Sequence, residues 1–110
     1  IQTKLVEQYV SQLQSNPYSP PTDASLDDDL LTMLVDEGRV VKVSETVIYD
    51  AEAYQGMVDK IVFTIKEQGK INVAQVRDLF QTSRKYALSL LEYLDQQSVT
   101  RRVGDDRVLR

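Results

Sequence analysis

The sequence feature that most constrains the fold is a pattern that occurs twice, 60 residues apart. In each copy an amphipathic helical stripe is followed by two short runs rich in β-branched residues, with polar residues between them that suit a tight turn. The matching positions are Leu30, Leu31, Leu34, Lys42 and Val43 in the first copy and Leu90, Leu91, Leu94, Arg102 and Val103 in the second. Four hydrophobic identities are weak grounds for common ancestry, but they favour one architecture, a helix followed by a β-hairpin, used twice.

One further helix is expected before the first copy. An apolar stripe predicts this helix over residues 3–15, and Asn16-Pro17 ends it because proline disfavours the helical conformation in the residue before it. Residues 17–23 contain every proline of the chain and predict an extended connector. The expected core positions of this helix are Leu5, Val6, Tyr9, Val10 and Leu13.

The first copy itself begins with a helix for which Ser25 is the expected N-cap. Residues 27–29 are all Asp and fall in its first turn, where the helix dipole favours negative charge, and Gly38 ends it. Residues 39–49 predict a strand, a tight turn at Ser44-Glu45-Thr46 and a second strand. The expected core positions of the helix are Leu30, Leu31, Leu34 and Val35.

Two helices are expected before the second copy. Asp50 is the expected N-cap of a long helix over residues 51–68, which Gly69 ends. A short extended piece, Lys70-Ile71, then leads to Asn72, the expected N-cap of a two-turn helix. The expected core positions are Tyr54, Met57, Val58, Ile61, Val62 and Ile65 in the long helix and Val73, Val76, Leu79 and Phe80 in the short one.

The second copy consists of the last helix and a hairpin. Thr82 or Ser83 is the expected N-cap of a helix whose buried residues are spaced at i, i+3, i+4 and i+7. Residues 99–103 and 107–110 predict the strands of the hairpin, with Gly104-Asp105-Asp106 at its tip. The buried positions of the helix are Ala87, Leu90, Leu91 and Leu94.

These elements predict a mostly α-helical chain with small β-hairpins, organised as two tandem winged-helix domains. Residues 51–110 contain three helices and a C-terminal hairpin, which is the winged-helix plan of the helix-turn-helix class. Residues 1–50 form an abridged copy, because about ten residues, mostly Pro, Ser and Asp, stand where the second domain has its middle helix. We therefore expect the domain boundary after Asp50.

Composition removes most catalytic chemistry. The chain has no Cys and no His, which excludes a thiol nucleophile, a Ser-His-Asp triad, the usual zinc sites and disulfides. Its glycines are isolated, so no GxxxxGK[ST] phosphate-binding loop is present, and three consecutive Asp residues on a helix diverge too far to share a metal. We expect neither enzyme activity nor a metal. No apolar run approaches the roughly 20 residues of a membrane span.

Charge is distributed unevenly along the chain. The formal net charge of −4 by itself argues against a nucleic-acid partner. Residues 1–50, however, carry three basic and nine acidic residues, a charge of −6, whereas residues 51–110 carry ten basic and eight acidic residues, a charge of +2. The basic residues of the second half cluster at the start of the last helix and on the final hairpin, which are the surfaces that winged helices offer to nucleic acid.

Arg84 and Lys85 are the most informative cations. The first turn of a helix favours acids, so each of these cations costs about 0.3 to 1 kcal/mol against the helix dipole. A phosphate over the helix N-terminus, held together with Thr82 or Ser83, would offset that cost, and Arg84 could instead reach a base edge. The alternatives are that both cations are solvated, or that Arg84 pairs with Asp78.

Arg101 and Arg102 occupy neighbouring positions in the first strand of the final hairpin. Neighbours in a strand point to opposite faces, so only one of them can reach a ligand on a given side. Arg107 and Arg110 lie on the second strand of the same hairpin. The alternative to a binding role is that these charges protect an edge strand from aggregation.

Three motifs in the second half together resemble one family closely. They are Ser-Arg-Lys-Tyr at residues 83–86, Leu-Leu-Glu-Tyr-Leu-Asp at 90–95 and Thr-Arg-Arg-Val-Gly-Asp at 100–105. In combination they resemble the C-terminal winged-helix domain of the bacterial selenocysteine-specific translation elongation factor. The resemblance covers roughly residues 51–110. Residues 1–50 resemble the preceding winged-helix domain of that factor more loosely, without its middle helix.

The resemblance implies that the chain binds an mRNA hairpin, the selenocysteine insertion element, and tethers the factor near a UGA codon for selenocysteine incorporation. It implies that Arg84 reaches a base of the hairpin loop, that Ser83 and Lys85 lie near the RNA backbone with the Arg101-Arg102 hairpin, and that Asp106-Arg107 lies near loop nucleotides. The first domain would then be a spacer or platform. The expected RNA-binding residues are Thr82, Ser83, Arg84, Lys85, Arg101, Arg102, Asp106 and Arg107.

The resemblance also implies partners outside this chain. The sequence begins at Ile1 rather than Met, so we expect a piece of a longer protein. In the family a distant N-terminal portion is a GTPase, which would bind GTP and Mg²⁺ and deliver selenocysteyl-tRNA to the ribosome. We expect this piece to be a cytoplasmic monomer without a cofactor of its own and without a membrane partner.

Two other functions stay open at the level of sequence. A DNA-binding winged-helix transcription regulator would want more cations along its last helix than Arg84 and Lys85. A tandem winged-helix adaptor that binds only protein would account for the acidity of the chain, but it would leave that pair of cations unexplained.

Overall fold

The computed structural model describes residues 2–20 and 27–110. The helices are α1 Gln2–Ser15, α2 Asp28–Asp36, α3 Ala51–Gln68, α4 Val73–Leu79 and α5 Arg84–Gln96. The strands are β1 Val40–Lys42, β2 Ile48–Asp50, β3 Ile71–Asn72, β4 Thr100–Val103 and β5 Asp106–Leu109. Five helices and two small antiparallel sheets in this part of the chain confirm the predicted class, mostly helical with small hairpins.

The chain divides into two compact units, Ile1–Tyr54 and Gln55–Arg110. The division falls in the first part of α3, whereas the sequence led us to expect a boundary after Asp50. Counted by these units, the formal charge is −7 for the first, with three basic and ten acidic residues, and +3 for the second, with ten basic and seven acidic residues. The charge asymmetry therefore belongs to the folded units themselves.

The first unit has a small core to which α1, α2 and the β1–β2 hairpin contribute. Its buried members are Val6, Tyr9, Val10, Leu13, Leu34 and Val40, with Leu30, Leu31 and Ile48 packed against them. Leu5 and Val35, which we predicted in the core, are instead 49% and 38% exposed. Each lies next to a buried residue and is therefore turned about 100° away from it around the helix. Burial raises the pKa of the Tyr9 phenol above 10.0, because desolvation disfavours the phenolate.

The ends of α2 follow cap chemistry. Ser25, the predicted N-cap, lies outside the described residues, as does the end of the predicted connector, residues 21–23. Asp27 is the N-cap, and its side chain accepts a hydrogen bond of 2.9 Å from the backbone N–H of Asp29. At the other end Gly38 adopts a φ of +74°, which allows the N–H of Arg39 to donate to the carbonyl of Leu34 at 3.0 Å. The predicted stop at Gly38 is confirmed.

The β1–β2 hairpin has the predicted tip. Its strands pair antiparallel, with Lys42 opposite Ile48. The Ser44 hydroxyl accepts a hydrogen bond of 3.2 Å from the N–H of Val47, which closes the turn. After the second strand, Asp50 caps α3 as predicted, because its carboxylate accepts from the N–H of Ala53 at 3.3 Å.

The second unit is organised around three helices and a three-stranded sheet. α3 is followed by Gly69, which has a φ of +87° and ends the helix as predicted, and β3 begins two residues later. The strands have the order β3-β5-β4, with Ile71 opposite Arg107 and Arg102 opposite Arg107 on the other side. The sequence predicted the β4–β5 hairpin and an extended piece at residues 70–71, but it did not predict that this piece joins the hairpin as a third strand.

The remaining helices of the second unit pack largely as predicted. Asn72 and Gln75 form a capping box at the start of α4, with hydrogen bonds of 2.8 and 3.0 Å. Leu79 was predicted in the core but is 42% exposed, because α4 ends there and the chain turns away through Gln81, which has a φ of +51°. All four predicted core residues of α5 are buried, namely Ala87, Leu90, Leu91 and Leu94.

Candidate nucleic-acid interface

The first turn of α5 presents cations where acids are ordinarily preferred. Arg84 is the first residue of this helix, Lys85 is the second, and both are exposed. Ser83 is the N-cap, but its side chain makes no capping hydrogen bond, and the first turn holds no acidic residue. The helix dipole therefore opposes both charges, while the hydroxyl that usually satisfies a first-turn N–H is left exposed.

The partner that we considered for Arg84 on the basis of the sequence is engaged elsewhere. Asp78 pairs with Arg77, whose Nε lies 3.1 Å from its carboxylate. Among the described residues, the Arg84 side chain has neither an ion pair nor a hydrogen bond. The Lys85 ammonium lies 5.8 Å from the centroid of the Tyr86 ring. Arg84 is thus an exposed guanidinium that nothing in this part of the chain neutralises.

The register of the final hairpin separates Arg101 from Arg102. Arg102 lies directly opposite Arg107 and shares a face of the sheet with Thr100. Arg107 and Thr100 are buried, whereas Arg102 is exposed. Arg101 lies on the other face with Val103, which is 49% exposed. The Arg102 Nε donates a hydrogen bond of 2.9 Å to the carbonyl of Gly104 at the tip. The two cations therefore point to opposite sides, as strand alternation predicts.

A cavity of about 350 Å³ lies in the second unit beside the start of α5. It is bounded by the first residues of α4, by α5 and by the β4–β5 hairpin. Four of the predicted RNA-binding residues line it, namely Arg84, Arg102, Asp106 and Arg107, and the other lining residues are Asn72, Val73, Ala74, Leu88 and Asp105. Thr82, Ser83, Lys85 and Arg101 do not line it.

Arg107 differs from the other hairpin cations because it is buried. We grouped it with the exposed cations of the hairpin, but it is only 3% exposed. Its Nε donates to Asp95 Oδ2 at 3.1 Å, and Thr100 Oγ1 donates to Asp95 Oδ1 at 2.6 Å. Arg107 thus lines the cavity and also belongs to a charged network. The sequence did not suggest this network, because Asp95 lies in α5 and Arg107 in β5, with β4 between them along the chain.

The cavity residues that sequence reasoning missed come from the unpredicted strand pairing. β3 lies beside β5, and this brings Asn72 and the start of α4 next to the hairpin. The sequence did predict an extended piece before the Asn72 cap, and pairing of that piece with an edge of the final hairpin could have been inferred from it. Asp106 lies opposite Asn72 of β3, and its carboxylate pairs at 3.4 Å with Lys70, the residue before that strand.

Other kinds of site find no support in residues 2–20 and 27–110. This part of the chain contains no group of acidic residues placed to hold a metal ion. None of its helices is long and apolar enough to cross a membrane. Thr82, the remaining predicted RNA-binding residue, is half-buried, and its N–H donates to the carbonyl of Arg77 at 3.0 Å.

The family model described as "Elongation factor SelB, winged helix" matches residues 64–109, a span that includes the start of α5 and both strands of the final hairpin. Most of the second unit therefore matches the winged-helix model of the SelB family. The chain is also 31% identical over 107 residues to the selenocysteine-specific elongation factor of Desulfomicrobium baculatum, a match that covers 89% of this chain and 17% of that protein. The corresponding factor of Haemophilus influenzae is 38% identical over 58 residues, which are 53% of this chain and 9% of that protein. The chain thus spans less than a fifth of these SelB relatives.

Solved structures show the same likeness to SelB. The mRNA-binding domain of elongation factor SelB from E. coli, solved in complex with SECIS RNA, matches with a TM-score of 0.81 and 22% identity, over 99% of this chain and 96% of that chain. A bacterial selenocysteine-specific elongation factor, EF-Sec, matches with a TM-score of 0.73 and 21% identity, over 97% of this chain and 18% of that chain. These matches confirm the predicted winged-helix fold.

Proposed function

We propose that this chain binds an mRNA stem-loop, the selenocysteine insertion element, through its second unit. The observation that carries the proposal is the cavity, which is lined by both Arg84 of α5 and Arg102 of the final hairpin. The match of this unit to the winged-helix model of the SelB family, and its likeness to an mRNA-binding domain solved with SECIS RNA, support a stem-loop as the occupant.

The electrostatics of the chain fit a small and selective RNA contact. The first unit carries a formal charge of −7, so the chain as a whole attracts nucleic acid weakly. The second unit carries +3, with exposed cations at the start of α5 and on the hairpin. Proteins read RNA sequence mainly at unpaired loop nucleotides, whose base edges are free, and this requires few cations. We assign the first unit the role of a spacer or platform.

The proposed roles follow the chemistry of each side chain. Arg84 has an unneutralised planar guanidinium at the cavity, which suits a bidentate contact with a base edge. Ser83 and Lys85 lie at the open N-terminus of α5 and suit a phosphate. Arg102 extends the positive surface across the cavity, whereas Arg101, on the opposite face of the sheet, contacts RNA only where a strand passes around the wing.

Because the matching relatives are selenocysteine-specific elongation factors, we extend the proposal to a longer protein of that kind. The chain would tether a selenocysteine-specific elongation factor at its message near a UGA codon. The GTPase portion, with GTP, Mg²⁺, selenocysteyl-tRNA and the ribosome as its partners, would lie outside these 110 residues. We propose a cytoplasmic monomer that has no cofactor of its own and no catalytic role in this segment.

A titration with three nucleic acids at one fixed salt concentration tests the proposal. The labelled ligands are a selenocysteine insertion hairpin, the same hairpin with a scrambled loop, and duplex DNA matched to its stem. We expect the first to bind at least about tenfold more tightly than the others, which corresponds to about 1.4 kcal/mol. Tighter binding to duplex DNA would favour a transcription regulator, and no binding to any of the three would favour a protein-binding adaptor.

A further inference from the structure

Asp95, Thr100 and Arg107 form a charged network in the second unit whose purpose the fold does not explain. Arg107 is 3% exposed and Thr100 is fully buried, and both hydrogen-bond to the Asp95 carboxylate. The Asp95 side chain is 26% exposed, so the pair is buried mainly on the Arg107 side. Desolvation of a buried charge offsets much of the attraction in such a pair, and apolar residues of similar volume are often as good. The register of β4 and β5 also places Arg107 directly opposite Arg102, a cross-strand pair of like charges that is itself unfavourable.

The first unit has a matching helix end and hairpin register, with uncharged residues at the three network positions. After α2, the N–H of Arg39 donates to the carbonyl of Leu34 at 3.0 Å, and after α5 the N–H of Val99 donates to that of Leu94 at 3.0 Å. In the hairpins that follow, Lys42 lies opposite Ile48 and Arg102 lies opposite Arg107. The counterparts of Asp95, Thr100 and Arg107 are therefore Val35, Val40 and Ile48.

The apolar version is a working solution to the same packing problem. Val40 is 2% exposed and belongs to the core of the first unit, and Ile48 packs against that core, whereas Val35 is 38% exposed and lies outside it. The helix, its cap and the hairpin therefore do not need a charged network in order to form. The unit that carries the network is also the unit whose cavity Arg107 lines.

We infer that Asp95 and Thr100 are positioning residues for RNA recognition, which hold the Arg107 guanidinium at the cavity as a fixed hydrogen-bond donor. The network engages Nε of that guanidinium, and its Nη groups have no acceptor among the described residues. No fully buried side-chain nitrogen in this part of the chain lacks a partner, so the Nη groups keep some solvent exposure, and Arg107 is one of the residues that line the cavity. Their partner is an acceptor oxygen or nitrogen of an RNA loop nucleotide, so the inference rests on the proposed function.

Two variants separate positioning from support of the fold. In the first, D95V/T100V/R107I, the first unit's residues replace the network. We expect its urea midpoint to equal or exceed that of the parent, because apolar packing replaces a buried ion pair. Its preference for the insertion hairpin over the scrambled-loop hairpin should fall about tenfold. The matched control is V35I in the first unit, which should change neither quantity.

The second variant, Asp95→Asn, keeps the shape of the side chain at residue 95 and removes its negative charge. It leaves Arg107 in place but loosely held, so we expect affinity for the insertion hairpin to fall about fivefold or more while affinity for the scrambled-loop hairpin stays within about twofold. A merely structural role would lower both affinities in proportion, because it acts through the fraction of folded protein. The ratio of the two affinities is therefore the measurement that matters, even where a variant is less stable.

The outcomes are distinct. If the parent prefers the insertion hairpin and either variant keeps that preference unchanged, or if both affinities fall in parallel, the positioning inference is overturned and the proposed function stands. If the parent itself shows no preference, the proposed function fails and the inference fails with it. A reduced preference in both variants, with the triple variant at least as stable as the parent, supports the inference.

Discussion

The two helix-plus-hairpin segments of this chain share a backbone plan and differ in what they present from it. Leu34 and Leu94 are both fully buried, and each accepts the hydrogen bond that turns the chain out of its helix into the hairpin. Beyond that shared core, the first segment has Val35 and Ile48 where the second has Asp95 and Arg107, and the units that contain them have formal charges of −7 and +3. Packing therefore specifies the shared plan, and we propose that the charges of the second copy specify its partner.

The two hairpins differ in strand register. Positions in the helices and first strands match at an offset of 60 residues. In the second strands the offset is 59, because Ile48 matches Arg107 and the first hairpin has the longer turn. Val43 is buried near that turn, whereas Val103 is 49% exposed. The hairpin tips therefore differ in shape as well as in charge, and the tip of the second unit is the one beside the cavity.

The largest expected effect tests whether the shared core is equivalent in the two units. Leu34→Ala and Leu94→Ala each remove a fully buried side chain, and each should lower the free energy of unfolding by about 2 to 5 kcal/mol. Urea denaturation followed by circular dichroism measures both. Leu79→Ala is the control, because this side chain is 42% exposed and should cost far less. A cost at either buried position no larger than that of the control would break the equivalence.

Arg84→Ala should have the next largest effect, and only on RNA binding. Loss of a base contact should weaken binding of the insertion hairpin by about 1 to 3 kcal/mol and relax the preference for its loop sequence. A mobility-shift titration against intact and scrambled loops measures both changes. Lys66→Ala removes an exposed cation of α3 that does not line the cavity and serves as the matched control. Equal losses in the two variants would mean that general charge, rather than Arg84, provides the contact.

Arg102 and Lys42 offer a direct comparison, because they occupy the same position in the two hairpins. Arg102 lines the cavity, whereas Lys42 lies 3.9 Å from Glu45 in an exposed ion pair. Arg102→Ala should weaken hairpin binding by about 1 kcal/mol at physiological salt, as expected for one phosphate contact, and Lys42→Ala should leave it unchanged. Affinities measured at several salt concentrations check this. A shallower salt dependence for Lys42→Ala would assign RNA contact to the first unit as well.

The smallest expected effect concerns the helix ends. Gly38 and Ser98 occupy the same position after α2 and α5, with φ of +74° and +63°. Glycine adopts this conformation freely and serine does not, so Ser98→Gly should raise the free energy of unfolding by about 0.5 to 1 kcal/mol and Gly38→Ser should lower it by about 1 kcal/mol. Urea denaturation of both variants measures the difference. Effects of the same sign would show that something other than backbone strain distinguishes the two caps.

Sequence reasoning predicted most of the fold because the informative residues act locally. The spacing of the apolar residues of α5 and the cap chemistry of Asn72, Gly38 and Asp50 each depend on a few neighbours in the chain. The positive φ of Ser98 was not predicted, because serine rarely adopts a positive φ, although Ser98 matches Gly38 at the offset of 60 residues. The strand β3 was missed because two residues carry no periodic pattern.

The candidate site was predicted less completely, because it depends on tertiary pairing. Arg84 and Lys85 were singled out by a local conflict with the helix dipole, and the structure leaves Arg84 without a neutralising partner among the described residues. The burial of Arg107 could not be predicted in this way. It requires Asp95 and Thr100 to meet it from another helix and strand, and nothing in the local sequence distinguishes it from Arg101 or Arg102.

The central claim is that the second unit reads RNA and that its counterpart in the first unit does not. The most direct test is a titration of ¹⁵N-labelled chain with the insertion hairpin, followed by amide chemical shifts. We expect the largest shift changes at residues 83–85 and 102–107, with residues 39–48 nearly unchanged. Shift changes centred on residues 39–48, or spread equally over both hairpins, would contradict the claim.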